Sequence, residues 1–179
     1  MSFTAPAAGS RVYLVLSTTE AGTAVFGDAV EYFTLGGSST GPVPGTYRIV
    51  NRNSGKPLAI AGNSTADGAE AVQQTGTAAW TVGTVQGDAY TLRYTASGKA
   101  LDVNGSAATV GLQLWQWSAD GGTNQQWYLC PTGDGYYTIA GHDSGLVADV
   151  YGRAATGGAQ VVQWSANNGP NQQWQLTPA

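Results

Sequence analysis

Asp102 and Asp149 each stand 15 residues before a tryptophan, Trp117 and Trp164 (117 − 102 = 15, 164 − 149 = 15), and an Asn-Gln pair follows each, Asn124-Gln125 and Asn171-Gln172. A carboxylate accepts charge-assisted hydrogen bonds from two hydroxyls, a side-chain amide both donates and accepts, and an exposed indole offers a large, rigid apolar face. A ligand matched to all three has one face of C–H groups and a rim of hydroxyls, which describes a sugar ring. The equal spacing implies that the two sets share one geometry. The plainer reading is that both aspartates are turn residues satisfying local backbone; their recurrence together with the Trp and Asn favours binding.

Other chemistries find little support. With His142 as the single histidine, a Ser-His-Asp arrangement has one candidate centre, and no nucleophile, base and orienting acid occur together. Its counterparts in register are not histidines, so His142 is expected on the surface or in a loop. A glycosidase needs two facing carboxylates, whereas Asp102 and Asp149 occupy equivalent positions of different units. Metal sites lack clusters of His, Cys or acids, and no cofactor is implied. The single cysteine, Cys130, excludes an internal disulfide, and a buried inert thiol is expected. A net charge of −4 with only seven Lys and Arg gains little from a phosphate backbone or an anionic membrane, which excludes nucleic acid as a partner. No apolar run approaches the roughly 20 residues of a membrane span. Met1 to Arg11 has neither the basic region nor the apolar stretch of a signal peptide, so either a signal was removed or the chain is not exported in this form.

The elements that must position these residues come as a repeat. Asn124-Gln125-Gln126-Trp127 recurs as Asn171-Gln172-Gln173-Trp174, an offset of 174 − 127 = 47. The same offset carries Asp102-Val103 onto Asp149-Val150, Trp117-Ser118-Ala119 onto Trp164-Ser165-Ala166, and Tyr90-Thr91-Leu92 onto Tyr137-Thr138-Ile139. A degenerate copy lies upstream: Tyr47-Arg48-Ile49 precedes Ser54-Gly55-Lys56, as Tyr90-Thr91-Leu92 precedes Ser97-Gly98-Lys99, and Trp80 stands 47 before Trp127. Three units therefore begin near Tyr47, Tyr90 and Tyr137. Period-2 stretches such as Leu112 to Trp117 read as half-buried strands, 26 glycines imply many tight turns, and no window has a sustained helical period. One unit could not bury its apolar face alone, so the three are expected to share one core.

This pattern resembles the ricin B-like lectins, also called carbohydrate-binding module family 13, over roughly Tyr47 to Leu176. The resemblance implies an all-β fold, a β-trefoil whose six-stranded barrel is capped by three hairpins, with one shallow sugar site per repeat. It also implies extracellular work on mono-, oligo- or polysaccharides of the galactose type or the xylan and arabinose type. In the family the Asp bonds sugar hydroxyls, the aromatic stacks and the Asn adds hydrogen bonds; these roles fall on Asp102, Trp117 and Asn124, and on Asp149, Trp164 and Asn171. The next residue, Gln125 or Gln172, supports or touches the ligand. Trp80, Trp127 and Trp174 recur even where binding residues are absent, which marks them as core. The first repeat holds Ala59, Gln74 and Thr77-Ala78 at the site positions, so it is expected to be structural only and two sites are expected in all.

The chain departs from the family in two respects. Pro57, Ala100 and Val147 stand where family members often carry disulfide cysteines. A Gln that contacts sugar in some members is Trp115 in one repeat and Val162 in the other; Trp115 either adds a second stacking surface or covers core. Residues 1–44 lie outside the repeat. Arg11 to Leu16, and Ala24 to Phe26 through Val30 to Leu35, read as two strands, and Gly36 to Gly45 has linker composition. Two strands alone make no stable core. This segment reads as the end of a preceding β-sandwich, against a catalytic domain or partner chain, or else as an arm of the trefoil, which then occupies 45–179. Alternatives to a free-standing lectin are a targeting module cut from a larger secreted glycoside hydrolase and a trefoil that binds protein without sugar.

Overall fold

The computed structural model describes residues 41–85 and 88–179. The strands read in Arg11 to Leu35, and the first half of the linker, lie outside them. Residues 41–179 form one unit, in which every long element is a strand.

Twelve strands follow in chain order: β1 (Gly45–Asn51), β2 (Leu58–Ile60), β3 (Ala71–Gln73), β4 (Trp80–Thr84), β5 (Tyr90–Tyr94), β6 (Ala100–Val103), β7 (Leu114–Trp117), β8 (Trp127–Pro131), β9 (Tyr137–Gly141), β10 (Val147–Val150), β11 (Ala159–Trp164) and β12 (Trp174–Pro178). Antiparallel pairing runs β1-β4-β5-β8-β9-β12 and returns from β12 to β1. That is a closed six-stranded barrel. The remaining strands pair as hairpins β2-β3, β6-β7 and β10-β11, and β3 meets β11 while the bridges Glu70–Trp115 and Gln113–Val162 tie the hairpins together. The fold is the β-trefoil, with one hairpin per repeat, and repeats open at Gly45, Tyr90 and Tyr137.

The sequence forces these turns. In Ser54-Gly55, Ser97-Gly98 and Ser144-Gly145 the glycine holds φ of 68°, 71° and 64°, a conformation a side chain disfavours. Each serine hydroxyl then donates to a buried glutamine of its own repeat: Ser54 to Gln73 (2.6 Å), Ser97 to Gln116 (2.6 Å) and Ser144 to Gln163 (3.0 Å). The amide of each glutamine reaches into another repeat. Gln73 donates to the carbonyls of Ala154 and Thr156, Gln116 to those of Ser64 and Ala66, and Gln163 to those of Ala107 and Thr109. A ring of three side-chain clamps thus locks the repeats together, and no sequence motif announces it.

Trp80, Trp127 and Trp174 are fully buried at the heart of the core. Their indole N–H groups donate to the carbonyls of Leu58, Leu101 and Ala148 (2.9, 3.0 and 3.1 Å), so each ring buries its large apolar area without stranding its one polar atom. The core reading of these tryptophans holds in all three repeats. Cys130 differs from expectation. It lies near the end of β8 where side chains alternate inward and outward, and it is half-buried.

Candidate carbohydrate-binding sites on two repeats

Asp102 lies on β6 directly across from Trp115 on β7, and Asp149 on β10 directly across from Val162 on β11. Residues two apart on a strand share a face, so Trp117 and Trp164 stand on the same hairpin faces as these pairs. The Asn-Gln pairs arrive from short 3₁₀ turns, Thr123–Gln125 and Pro170–Gln172. The first repeat has no such turn in its path to β4. Just before each turn a glycine lets the asparagine approach. A Cβ on Gly122 would sit 2.5 Å from Asn124 Oδ1, and one on Gly169 would sit 2.6 Å from Asn171 Oδ1. Gly122 and Gly169 are themselves 47 residues apart, a match that the repeat offset makes visible in the sequence.

The two carboxylates are held alike. Asn124 Nδ2 and Gln125 Nε2 both donate to Asp102 Oδ2 at 2.9 Å; Asn171 Nδ2 and Gln172 Nε2 donate to Asp149 Oδ2 at 2.9 and 2.8 Å. The glutamines are buried and fully engaged. Gln125 also donates to the Ser118 carbonyl and accepts from the Asp120 N–H, while Gln172 bonds the Ser165 carbonyl and the Asn167 N–H. Each glutamine amide is thus spent on its aspartate and on the backbone of its own loop. Each asparagine likewise gives amide hydrogens to its aspartate and to a strand carbonyl, Val103 or Val150, and Asn171 Oδ1 is buried with no protein donor.

The repeats part company at the other carboxylate oxygen. Trp115 Nε1 donates to Asp102 Oδ1 at 2.6 Å, and the Trp115 ring stacks on Trp117, centroids 5.2 Å apart at 29°. Trp117 is 39% exposed. Beyond stacking or covering core, Trp115 thus takes a third role, a cap on the carboxylate. Val162 has no donor to offer, and Asp149 Oδ1 has no protein partner among the described residues. Asp149 instead borders a cavity of about 270 Å³ lined also by Tyr151, Arg153, Trp164, Asn167 and Asn171, close to the lower end of ligand-pocket sizes. Tyr151, 53% exposed, meets Trp164 at 5.9 Å and 55°, forming an aromatic corner. Burial pushes the Asp149 carboxyl up from its ordinary value, against the opposing pull of the Gln172 and Asn171 amides and the Arg153 guanidinium.

Tyr151, Arg153 and Asn167 line this cavity, and the sequence pattern does not single them out. Their counterparts 47 residues earlier are Asn104, Ser106 and Asp120, so the repeat itself conceals them. The crevice beside Asn124, walled by Val103, Ser106, His142 and Asp143, is too narrow for a water molecule. His142 is half-buried in a turn, stacked on Tyr128 at 5.4 Å with Nδ1 3.1 Å from Asp143 Oδ1. In the first repeat Ala59 is fully buried opposite Val72, and Gln74 bonds Asn63. No carboxylate stands there. Among the described residues no three His, Cys, Asp or Glu side chains gather into a metal-binding group.

A β-trefoil that brings together a carboxylate, an amide pair and an indole, exposed at Trp117 and half-buried at Trp164, on two of its three repeats has the build of lectin-like trefoil domains. The sequence matches the family described as ricin-type beta-trefoil lectin domain-like over residues 31–79, 76–164 and 138–179, and the chain belongs to that family. Among solved structures it is similar to a designed three-fold symmetric protein, ThreeFoil, with 38% identity over 75% of this chain and 99% of the other, at a TM-score of 0.73. It is also similar to an exo-beta-1,3-galactanase from Clostridium thermocellum, with 34% identity over 77% of this chain and a TM-score of 0.73; the match spans only 31% of that enzyme. A Polyporus squamosus lectin bound to a Neu5Acα2-6Galβ1-4GlcNAc epitope shares the fold, at 24% identity, TM-score 0.65, 76% of this chain and 50% of the other. No curated protein matches the sequence.

Proposed function

We propose that this chain is a carbohydrate-binding module that takes galactose-type or xylan- and arabinose-type sugars through shallow sites on its second and third repeats, and that it binds without catalysing. The observation that carries this reading is Asp149 Oδ1, held by two amides on the neighbouring oxygen yet open to a cavity beside Trp164 and Tyr151. A sugar hydroxyl donates to that oxygen while the C–H face of the ring packs on the indole. Asp102, Trp117 and Asn124 form the second site, with Gln125 and Gln172 as the supports of the two aspartates. Galactose is favoured by the likeness to an exo-beta-1,3-galactanase.

One ring and a few solvent-shared hydrogen bonds correspond to a monosaccharide affinity of about 1 mM, near −4 kcal/mol. Two sites engaging one polysaccharide raise this by about a hundredfold or more through effective concentration. We place the chain outside the cell, where such polymers are met, and the partial match to the galactanase supports a second reading of it as the targeting module of a glycoside hydrolase. A glycan array followed by calorimetry tests the proposal. Wild-type protein should bind galactose-, xylose- or arabinose-bearing glycans, and Asp149→Ala should lose most of the signal. An array with no glycan bound, or hydrolysis of a bound glycan, would contradict it.

A further inference from the structure

Asp102 and Asp149 occupy equivalent places, carry equivalent amide supports and face equivalent tryptophans, yet among the described residues only Asp149 has an oxygen free of protein donors. The difference traces to the residue directly across the hairpin, Trp115 opposite Asp102 and Val162 opposite Asp149. The indole N–H at 2.6 Å takes on Asp102 Oδ1 the position of a hydroxyl donor, and its ring backs Trp117 at 5.2 Å. With three N–H donors at 2.6 to 2.9 Å on about four lone-pair sites, Asp102 keeps at most one site for a ligand, against about two on Asp149. Displacing the indole would cost its hydrogen bond and its stacking together.

We propose that Trp115 is the specificity-determining residue of the second repeat: it caps Asp102, so this repeat engages glycan by stacking on Trp117 with little selection among hydroxyl patterns, while the third repeat does the selecting. This inference rests on the reading of the two repeats as sugar sites. It makes Trp117 a sugar-tolerant contact that adds grip along a polysaccharide. It also makes Trp115 a removable block: Val in its place reproduces the cross-strand pair of the third repeat and leaves Asp102 Oδ1 open.

The test isolates each repeat and titrates galactose, arabinose and xylose by calorimetry and chemical-shift mapping. Trp117→Ala leaves the third repeat, and Trp164→Ala leaves the second. The Trp117→Ala protein should discriminate among the three sugars, whereas the Trp164→Ala protein should bind all three alike and about tenfold more weakly than the best ligand of the third repeat. Adding Trp115→Val or Trp115→Phe to Trp164→Ala should recover about tenfold for that preferred sugar. Phe keeps a ring behind Trp117 while removing the N–H, so a gain with Phe assigns the block to the hydrogen bond, and thermal melts confirm that both variants fold. Equal strength and selectivity in the two isolated repeats, or no gain on removing the N–H from folded protein, would overturn the inference.

A ligand-free arm separates this from failure of the sugar reading. The Trp115 ring N–H resonance should lie downfield, exchange slowly, and move upfield in Asp102→Asn. If no sugar binds any variant, the sugar reading fails while this resonance still decides the cap; a fast-exchanging Trp115 N–H, insensitive to Asp102, removes the cap altogether.

Discussion

The second and third repeats present the same four residue types in the same register, hold their aspartates with amide hydrogen bonds that agree to 0.1 Å, and still offer different surfaces. What differs is the cross-strand neighbour, Trp115 against Val162, and the turn after the aspartate, Asn104 and Ser106 against Tyr151 and Arg153. The residues that build a site and those that open it are separable. Asp, Asn and Gln form a preorganised unit in which the amides fix one carboxylate oxygen; the neighbours decide whether the other faces a cavity or an indole. The first repeat extends the lesson. It keeps the core tryptophan, the Ser-Gly turn and the glutamine clamp, so the framework survives where the site is gone.

The largest expected effects fall on what the repeats share. Trp80→Ala, Trp127→Ala and Trp174→Ala each delete a fully buried indole, at about 3–5 kcal/mol. Chemical denaturation should find the three costs similar, although the first repeat has no site; a much cheaper Trp80→Ala would show that framework and site are not separable. Next come the two site indoles, half-buried Trp164 and exposed Trp117. Trp164→Ala should weaken the preferred monosaccharide at least about tenfold, or 1.4 kcal/mol, with stability almost unchanged. Trp117→Ala should cost less for a monosaccharide and more for a polysaccharide, and the double variant should abolish binding. Changing Gln74 should alter no binding. Binding that survives loss of both tryptophans would remove the comparison's basis. A smaller step sharpens it: Tyr151→Asn, the residue in register in the second repeat, should cost about 1 kcal/mol at the third repeat by opening the aromatic corner. No change in titration would leave Tyr151 outside the site.

Most of the fold, and the grouping of each aspartate with its Asn-Gln pair, are legible in the amino-acid sequence, whereas the use of both amides to hold the aspartate is not. The 47-residue offset carries the three units and their need for a shared core, and the resemblance to the ricin B-like lectins adds the trefoil. The offset also carries the placement of Asp102, Asn124, Gln125 and their counterparts in common clusters. Three things escape it for physical reasons. Pairing of Asp102 with Trp115 depends on hairpin register, set by the 104–113 connection and not by the motif. The clamp of Gln73, Gln116 and Gln163 links residues some 50 to 80 positions apart, so no local periodicity reveals it. Tyr151, Arg153 and Asn167 break the repeat, and a search for repetition discards what is unique. Half-burial of Cys130 belongs to the same class, since alternation along a short barrel strand is set by closure of the barrel.

The comparison also has a pH signature at Asp149, smaller than any substitution because it is absent near neutrality. Burial raises this carboxyl above its ordinary value, so the folded chain takes up the proton more readily than the unfolded chain. The ionised group therefore costs stability above its folded pKa, and that cost is relieved as pH falls through the folded pKa toward the unfolded value. Binding runs the other way. Oδ2 is already engaged by Asn171 and Gln172, so the incoming proton lands on Oδ1, the one oxygen left for a sugar hydroxyl, and converts an acceptor into a donor. Acidification should thus lower monosaccharide affinity at the third repeat while Asp149's own contribution to stability improves, and the loss should begin at higher pH than an ordinary exposed aspartate titrates. Calorimetry of the Trp117→Ala protein across the acidic range measures the first, and thermal melts against Asp149→Asn measure the second. In Asp149→Asn any residual affinity should not vary with pH. Wild-type affinity that stays flat down to the ordinary aspartate range would mean that the ligand does not use Oδ1, and that the open oxygen is not what separates the two repeats.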